Sequence, residues 1–326
     1  MRKLLFLIGS LILLVGLIAC SDNSEDANEE NGLGDDIEQD SEDNDQSEEV
    51  EDSNDDQENE EDVYTEETID SPYYITGRIV MLGENSEALG FHFQRQDADQ
   101  SREERLLQSL QESDFTSIDV LADLEDVRLV DDSTIDLIFN EDHKLRILTS
   151  AEQYFLTEML HEFSDLYGFS TINFYVEDDQ GVIYGQYGDL ETMEVELEEN
   201  RGYYVYEDPV EQPPEPLFLN AQTVGEEVKD ETLFNFEETI EAISYSNQDA
   251  EGYRSAIGES IQIIEVSVED RHATVVLDHE ENRESIEELE VVLQLTALDF
   301  QLESIQLIDE QEQTDKTFVF DRPHIE

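Results

Sequence analysis

One order of elements occurs twice in this chain, and that duplication limits the fold more than any other feature. "VRLVDDSTIDLIF" (127–139) is two short apolar runs around Asp131-Asp132-Ser133, the pattern of a hairpin. "SAEQYFLTEMLHEFSDLYGFSTINFYV" (150–176) follows. Its Ser150 and Gln153 fit a capping box, and Phe155, Leu156, Met159, Leu160, Phe163, Leu166 and Tyr167 recur at helical spacing until Gly168 supplies a stop. Residues 171 to 176, β-branched and aromatic, predict a strand. The same succession returns in the last third of the chain. A hairpin over 266–278 turns at Glu269-Asp270-Arg271, and Ser285 with Glu288 forms a second capping box. Ile286, Leu289, Leu293, Ala297 and Phe300 make the helical stripe, and in "LESIQLI" Ile305 and Leu307 answer Ile172 and Phe174. A repeated order of elements is stronger evidence of duplication than residue identity, which is low here.

Each copy also has an earlier half. "ALGFHFQ" (88–94) and "SREERLLQSLQ" (101–111) read as a strand and a helix, and "PLFLNAQTV" (216–224) and "NFEETIEAI" (235–243) take the same places later. The expected fold is therefore α+β, with two βαββαβ-like domains whose helices pack on mixed sheets. Domain 1 is expected over 71–207 and domain 2 over 217–326. The linker between them, 208–216, falls where four of the six prolines cluster as "PVEQPPEP" (209–216). Residues 193 to 206 read as an extra hairpin turning at Asn200-Arg201-Gly202.

Ahead of the domains stands a membrane address. Met1, Arg2 and Lys3 precede an uncharged run from Leu4 to Ala19, the layout of a secretory signal and too short to span a bilayer comfortably. Leu17-Ile18-Ala19-Cys20 resembles the lipobox of bacterial lipoproteins, in which the cysteine sulfur takes a diacylglyceryl group. Residues 1–20 are thus read as signal and lipobox, with Cys20, the only cysteine, as the lipidation site. Two or more acyl chains satisfy the requirement for stable anchoring. Residues 21–70 hold 25 Asp or Glu and no Lys or Arg, a composition that cannot bury enough apolar surface to order itself and that predicts a disordered tether. The whole chain carries a formal net charge of −71. Such a surface repels phosphate, so nucleic acid is excluded as a partner. Twelve of the 16 basic residues are Arg, which favours a saline or alkaline setting and drift of composition about equally.

Lipobox, polar tether and tandem units together resemble the GerM family. The motifs that carry the resemblance are the turn "VDDSTIDLIF", the Ser-capped helix "LTSAEQYFLTEMLHEF", then "GFSTINFYV" and the glycine-punctuated "GVIYGQYGDL". The resemblance covers roughly residues 88 to 190 well and 216 to 310 more weakly. The family implies GerMN domains, a role in sporulation or spore germination, the cell-wall environment and no established catalytic residues. This chain departs from it in its long acidic tether and extreme charge.

The residues themselves point to no chemistry. His92, His143, His161, His272, His279 and His324 form no pair at metal-ligand spacing, and His92 and His161 read as solvent-facing. "DSNDDQENEEDV" (52–63) lacks the Gly and the final Glu of an EF-hand loop. Among 87 acids some pair always falls at a glycosidase separation, so paired carboxylates discriminate nothing. No catalytic residue, cofactor or defined metal is expected. Two features mark candidate interfaces. Tyr203, Tyr204 and Tyr206 could form an aromatic patch, although packing against a sheet is the commoner fate of such residues. Val291, Leu295 and Leu298 form a second apolar stripe on the helix at 286–300, covered by the other domain, the C-terminal segment or a partner protein. Leu295→Asp is expected to disrupt that docking and to spare the second domain's own core. The expected protein is a non-enzymatic docking or assembly module on the extracytoplasmic face of the cell membrane, held by lipid on Cys20, with envelope proteins or peptidoglycan as partners. The alternatives are a peptidoglycan hydrolase using paired carboxylates and a solute-binding lipoprotein.

Overall fold

The computed structural model describes residues 64–83, 86–96, 100–195, 202–207, 215–224, 234–244, 252–280 and 283–321. The signal, the lipobox cysteine Cys20, residues 21 to 63 of the tether and most of the linker lie outside them. The last residues assigned to the tether are not tether. Thr65–Ile69 is a strand, β1, paired in parallel with the chain's final strand.

In the first copy, β2 (Tyr73–Leu82) and β3 (Ser86–Arg95) form a hairpin of two ten-residue strands. Helix α1 (Arg102–Glu112) starts at a capping box between Ser101 and Glu104. The hairpin of β4 (Leu124–Leu129) and β5 (Thr134–Phe139) follows, then α2 (Ser150–Tyr167) and β6 (Thr171–Val176), which lies parallel to β5. The box that starts α2 sits one residue earlier than expected, at Thr149 and Glu152. Glu152 accepts from the Thr149 amide at 3.0 Å and returns its own amide to the Thr149 hydroxyl at 3.2 Å. Gln153 instead accepts from the amide of Gln186 at 2.6 Å. At the other end Gly168 takes φ +83°, a left-handed conformation that spares the steric cost of a Cβ. Short strands β7 (Asp179–Gln180), β8 (Val182–Tyr184) and β9 (Gly188–Leu190) precede β10 (Thr192–Glu194), which closes the sheet against β6.

The second copy repeats this order. β11 (Tyr203–Tyr206) and β12 (Phe218–Asn220) correspond to β2 and β3. The helical turn α3 (Ala221–Val224) precedes α4 (Phe236–Ser244), the counterpart of α1, started by Asn235 and Glu238 in reciprocal hydrogen bonds. After β13 (Tyr253–Arg254) come β14 (Ile261–Glu269) and β15 (His272–His279), joined by Asp270 and Arg271 at φ +47° and +67°, the signs of a type I′ turn. α5 (Arg283–Asp299), β16 (Ser304–Asp309) parallel to β15, and β17 (Thr314–Val319) complete the copy. Ser285 stands inside α5, so it does not cap that helix. Residues 193 to 206 do not form a hairpin either: β10 and β11 belong to different sheets.

The fold is α+β. Each copy has an extra leading strand beyond the expected βαββαβ order, and these leading hairpins join the copies. The linker divides them in sequence but not in space. β3 pairs antiparallel with its counterpart β12, Phe91 opposite Phe218, in one sheet of order β13-β11-β12-β3-β2. Equivalent strands of the two copies thus pair in opposite directions. α5 packs against both β11 and α2, so buried side chains of both copies form one continuous core. Gly202 leads into β11 at φ +107°, where an added Cβ would come within 2.9 Å of Thr239 on α4.

Three buried phenols make this core visible to a titration. Tyr167 shares a hydrogen bond with Ser109 at 2.9 Å, Tyr184 with Thr157 at 3.1 Å, and Tyr74 donates to Glu112. Burial pushes all three well above the ordinary phenol range. A phenol whose folded pKa is raised lends its stability in full below about pH 10, the unfolded value, and loses it as pH rises further. In an alkaline titration, their tyrosinate absorbance should therefore emerge only together with cooperative unfolding. Full tyrosine ionisation near pH 10 in a chain that keeps its near-ultraviolet dichroism would contradict their burial.

Candidate docking groove

β14 is an edge strand. It pairs with β15 on one side, and its other side pairs with no described strand. A bulge between Ile263 and Glu265 interrupts its register, and Ile264 and Val268 are left exposed at 46% and 37%. Along that free side runs a groove of about 720 Å³, walled by α4. It touches every residue from Ile261 to Val266. Successive strand residues point to opposite faces, so a groove that meets six in a row follows the backbone edge rather than one face. Ile240 and Ile257 stand in its apolar floor with Ile261 and Ile263, and Glu237, Glu241, Glu259 and Glu265 line it with carboxylates.

The position of α4 explains the opening. Its buried side, Phe236, Ile240 and Ile243, faces the core, while Glu237 and Glu241 lie on the outward turns. In the first copy the equivalent helix is α1. There Gln111 donates to the Leu124 carbonyl at 2.9 Å and ties α1 to β4. No described hydrogen bond of that kind joins α4 to β14.

Two other polar clusters are structural. Glu162 of α2, buried, accepts from the Tyr203 hydroxyl and from Asn220 Nδ2 at 3.0 and 3.3 Å, which bolts the first copy's helix to the second copy's strands. A smaller cavity of about 330 Å³ opens beside it, bordered by Glu87, Phe91, Tyr154, Phe155 and Glu158. At the far end of the other sheet His279 Nε2 lies 2.9 Å from Asp309, whose second oxygen accepts from the amides of Gln311 and Glu312. That pair fastens the β16–β17 turn to β15.

The residues singled out from sequence fall elsewhere. Tyr203, Tyr204 and Tyr206 are buried, at 0%, 3% and 6% exposure, and offer no aromatic patch to a partner. Leu295 and Leu298 are fully buried, and Val291 is partly buried against the same core; β11 and α2 supply the cover for α5. His92 and His161 are half-buried rather than solvent-facing, and burial lowers both below the ordinary histidine value, although Glu215, 3.4 Å from His92, opposes this. Among the described residues no group of three or more His, Cys, Asp or Glu is placed to hold a metal ion. No described helix is long and apolar enough to cross a membrane. The groove itself escaped the sequence reading. Its one local signal is "IQIIEVSVE", where Ile263 and Ile264 are successive and so put apolar residues on both faces of the strand.

No protein-family profile matches the chain, and no curated protein matches it. Among solved structures it is similar to the tandem GerMN domains of the sporulation protein GerM from Bacillus subtilis. The TM-score is 0.41 at 10% identity, over 76% of this chain and 97% of that one. This is the family that the sequence motifs resemble.

Proposed function

We propose that the protein is a lipid-anchored lipoprotein of the extracytoplasmic membrane face that recruits an envelope partner along β14, in the setting of sporulation or germination. The β14 edge, which no described strand pairs, with exposed Ile264 and Val268 beside a groove, carries the reading. An unpaired row of backbone donors and acceptors is a template for strand addition, in which main-chain bonds supply affinity and side-chain pockets supply selectivity. The lipobox at Cys20 supports anchoring. The acidic tether, at most about 145 to 160 Å if the roughly 44 residues between Cys20 and β1 are fully extended, supports action at a distance from the bilayer. Resemblance to the GerM family supports the developmental setting, and docking rather than catalysis is the activity this reading assigns.

Wild-type chain should fractionate with membranes, and Cys20→Ala should leave them for the soluble fraction. A photo-cross-linking residue at Ile264 should capture an envelope protein, whereas one at Ile147, exposed on the first copy, should not. Equal capture from both positions, membrane retention of processed Cys20→Ala, or release of muropeptides from peptidoglycan by the purified chain would each remove the reading.

A further inference from the structure

We infer that the β14 groove accepts an extended, basic segment of a partner protein, with Lys or Arg among apolar residues. This rests on the reading of β14 as the docking edge and adds the chemistry of what docks there. The floor is apolar through Ile240, Ile257, Ile261 and Ile263, and the carboxylates along it are Glu237, Glu241, Glu259 and Glu265, with no Lys or Arg among the described lining. A strand laid along β14 points alternate side chains to opposite faces. Isoleucines and carboxylates both line the groove, so a segment that combines apolar and basic residues matches it.

The same charges exclude two other occupants. A second copy of this chain would bring identical carboxylates face to face, and like charges opposed across an interface are costly. An acidic or neutral strand would leave Glu237, Glu241 and Glu265 uncompensated as water is displaced. Glutamates along an edge, together with the bulge at Ile264, also block self-pairing of exposed strands, so the groove selects against its own kind.

The experiment uses the full chain in detergent and a synthetic ten-residue peptide of alternating Lys and Val, with a Glu-for-Lys version as control. Binding is followed by anisotropy and by hydrogen exchange of the backbone amides. The Lys peptide should bind saturably, protect amides only in β14, and weaken as salt rises. Glu241→Lys with Glu265→Lys should lower its affinity about tenfold. Those two reversals move the net charge only from −71 to −67 (−71 + 4), so diffuse attraction to the acidic tether would be almost unchanged by them. Equal binding of the Glu peptide, indifference to the double reversal, protection away from β14, or concentration-dependent dimers that protect β14 would each overturn the inference. If the peptide fails while Ile264 still cross-links to an envelope protein, the docking edge stands and its basic specificity falls. If both fail, both readings fall.

Discussion

Leu295→Asp should unfold everything from β1 to β17 in a single step, and should not free one half of the molecule from the other. Leu295 is fully buried on α5, the helix that packs on its own sheet and also on β11 and α2. Its side chain belongs to a core that both copies share. Replacing it removes roughly 2 to 3 kcal/mol of apolar burial and introduces a carboxyl group with no partner, for a total on the order of 5 kcal/mol. A domain is stable by only about 5 to 15 kcal/mol. The variant should lose its cooperative thermal transition and the near-ultraviolet dichroism of tyrosines in both copies. A surviving transition of about half amplitude, assignable to residues 64 to 195, would show instead that the halves fold independently, as two separate domains would.

Arg95→Ala should cost roughly 3 kcal/mol and release the N-terminal strand first. The Arg95 guanidinium, on β3, donates to the Ser71 carbonyl at 2.7 Å, the Val319 carbonyl at 2.9 Å and Gln294 Oε1 at 2.7 Å. It also lies over the rings of Phe318 and Phe320 at 5.6 and 5.3 Å. One side chain thereby joins the turn after β1, the last strand and α5. Burial lowers its pKa to about 10, yet it stays charged at neutral pH. Its removal leaves the part-buried Ser71 carbonyl and Gln294 Oε1 without this donor, which costs more than the bonds themselves contributed. Urea unfolding should shift to a lower midpoint at unchanged slope, with proteolysis at residues 64 to 70 ahead of the rest. Lys should not rescue the variant, because one ammonium cannot span a fork of three acceptors. Restoration by Arg95→Lys, or proteolysis beginning elsewhere, would count against this role.

The parts of the fold that sequence reveals are those set within a few residues. The α2 stripe, its Gly168 stop and both hairpins depend on period and turn chemistry, and they lie where the sequence places them. Even the misplaced cap is a local ambiguity: Thr149 with Glu152 and Ser150 with Gln153 both satisfy the pattern, and Gln153 is drawn away by Gln186. What sequence conceals is long-range pairing. β11 and β12 have four and three residues, too few to declare an alternation, and their meaning comes from β3, more than a hundred residues earlier. β1 is spelled TEETI, which reads as more tether until β17 supplies backbone partners. The tyrosines of β11 suggested a surface because aromatic residues suit both interfaces and cores, and only the cover of α5 decides between them. The groove was hidden for the same reason, since an edge is defined by a neighbour that is missing.

The pairing of β3 with its own counterpart has a further consequence. In a symmetric homodimer every substitution is copied onto both sides, so a change that opens one flank opens the other. Two copies carried on a single polypeptide are released from that constraint. One copy can keep Gln111 bonded to Leu124 while the other carries a bulged edge at Ile264, a difference that identical subunits could not hold.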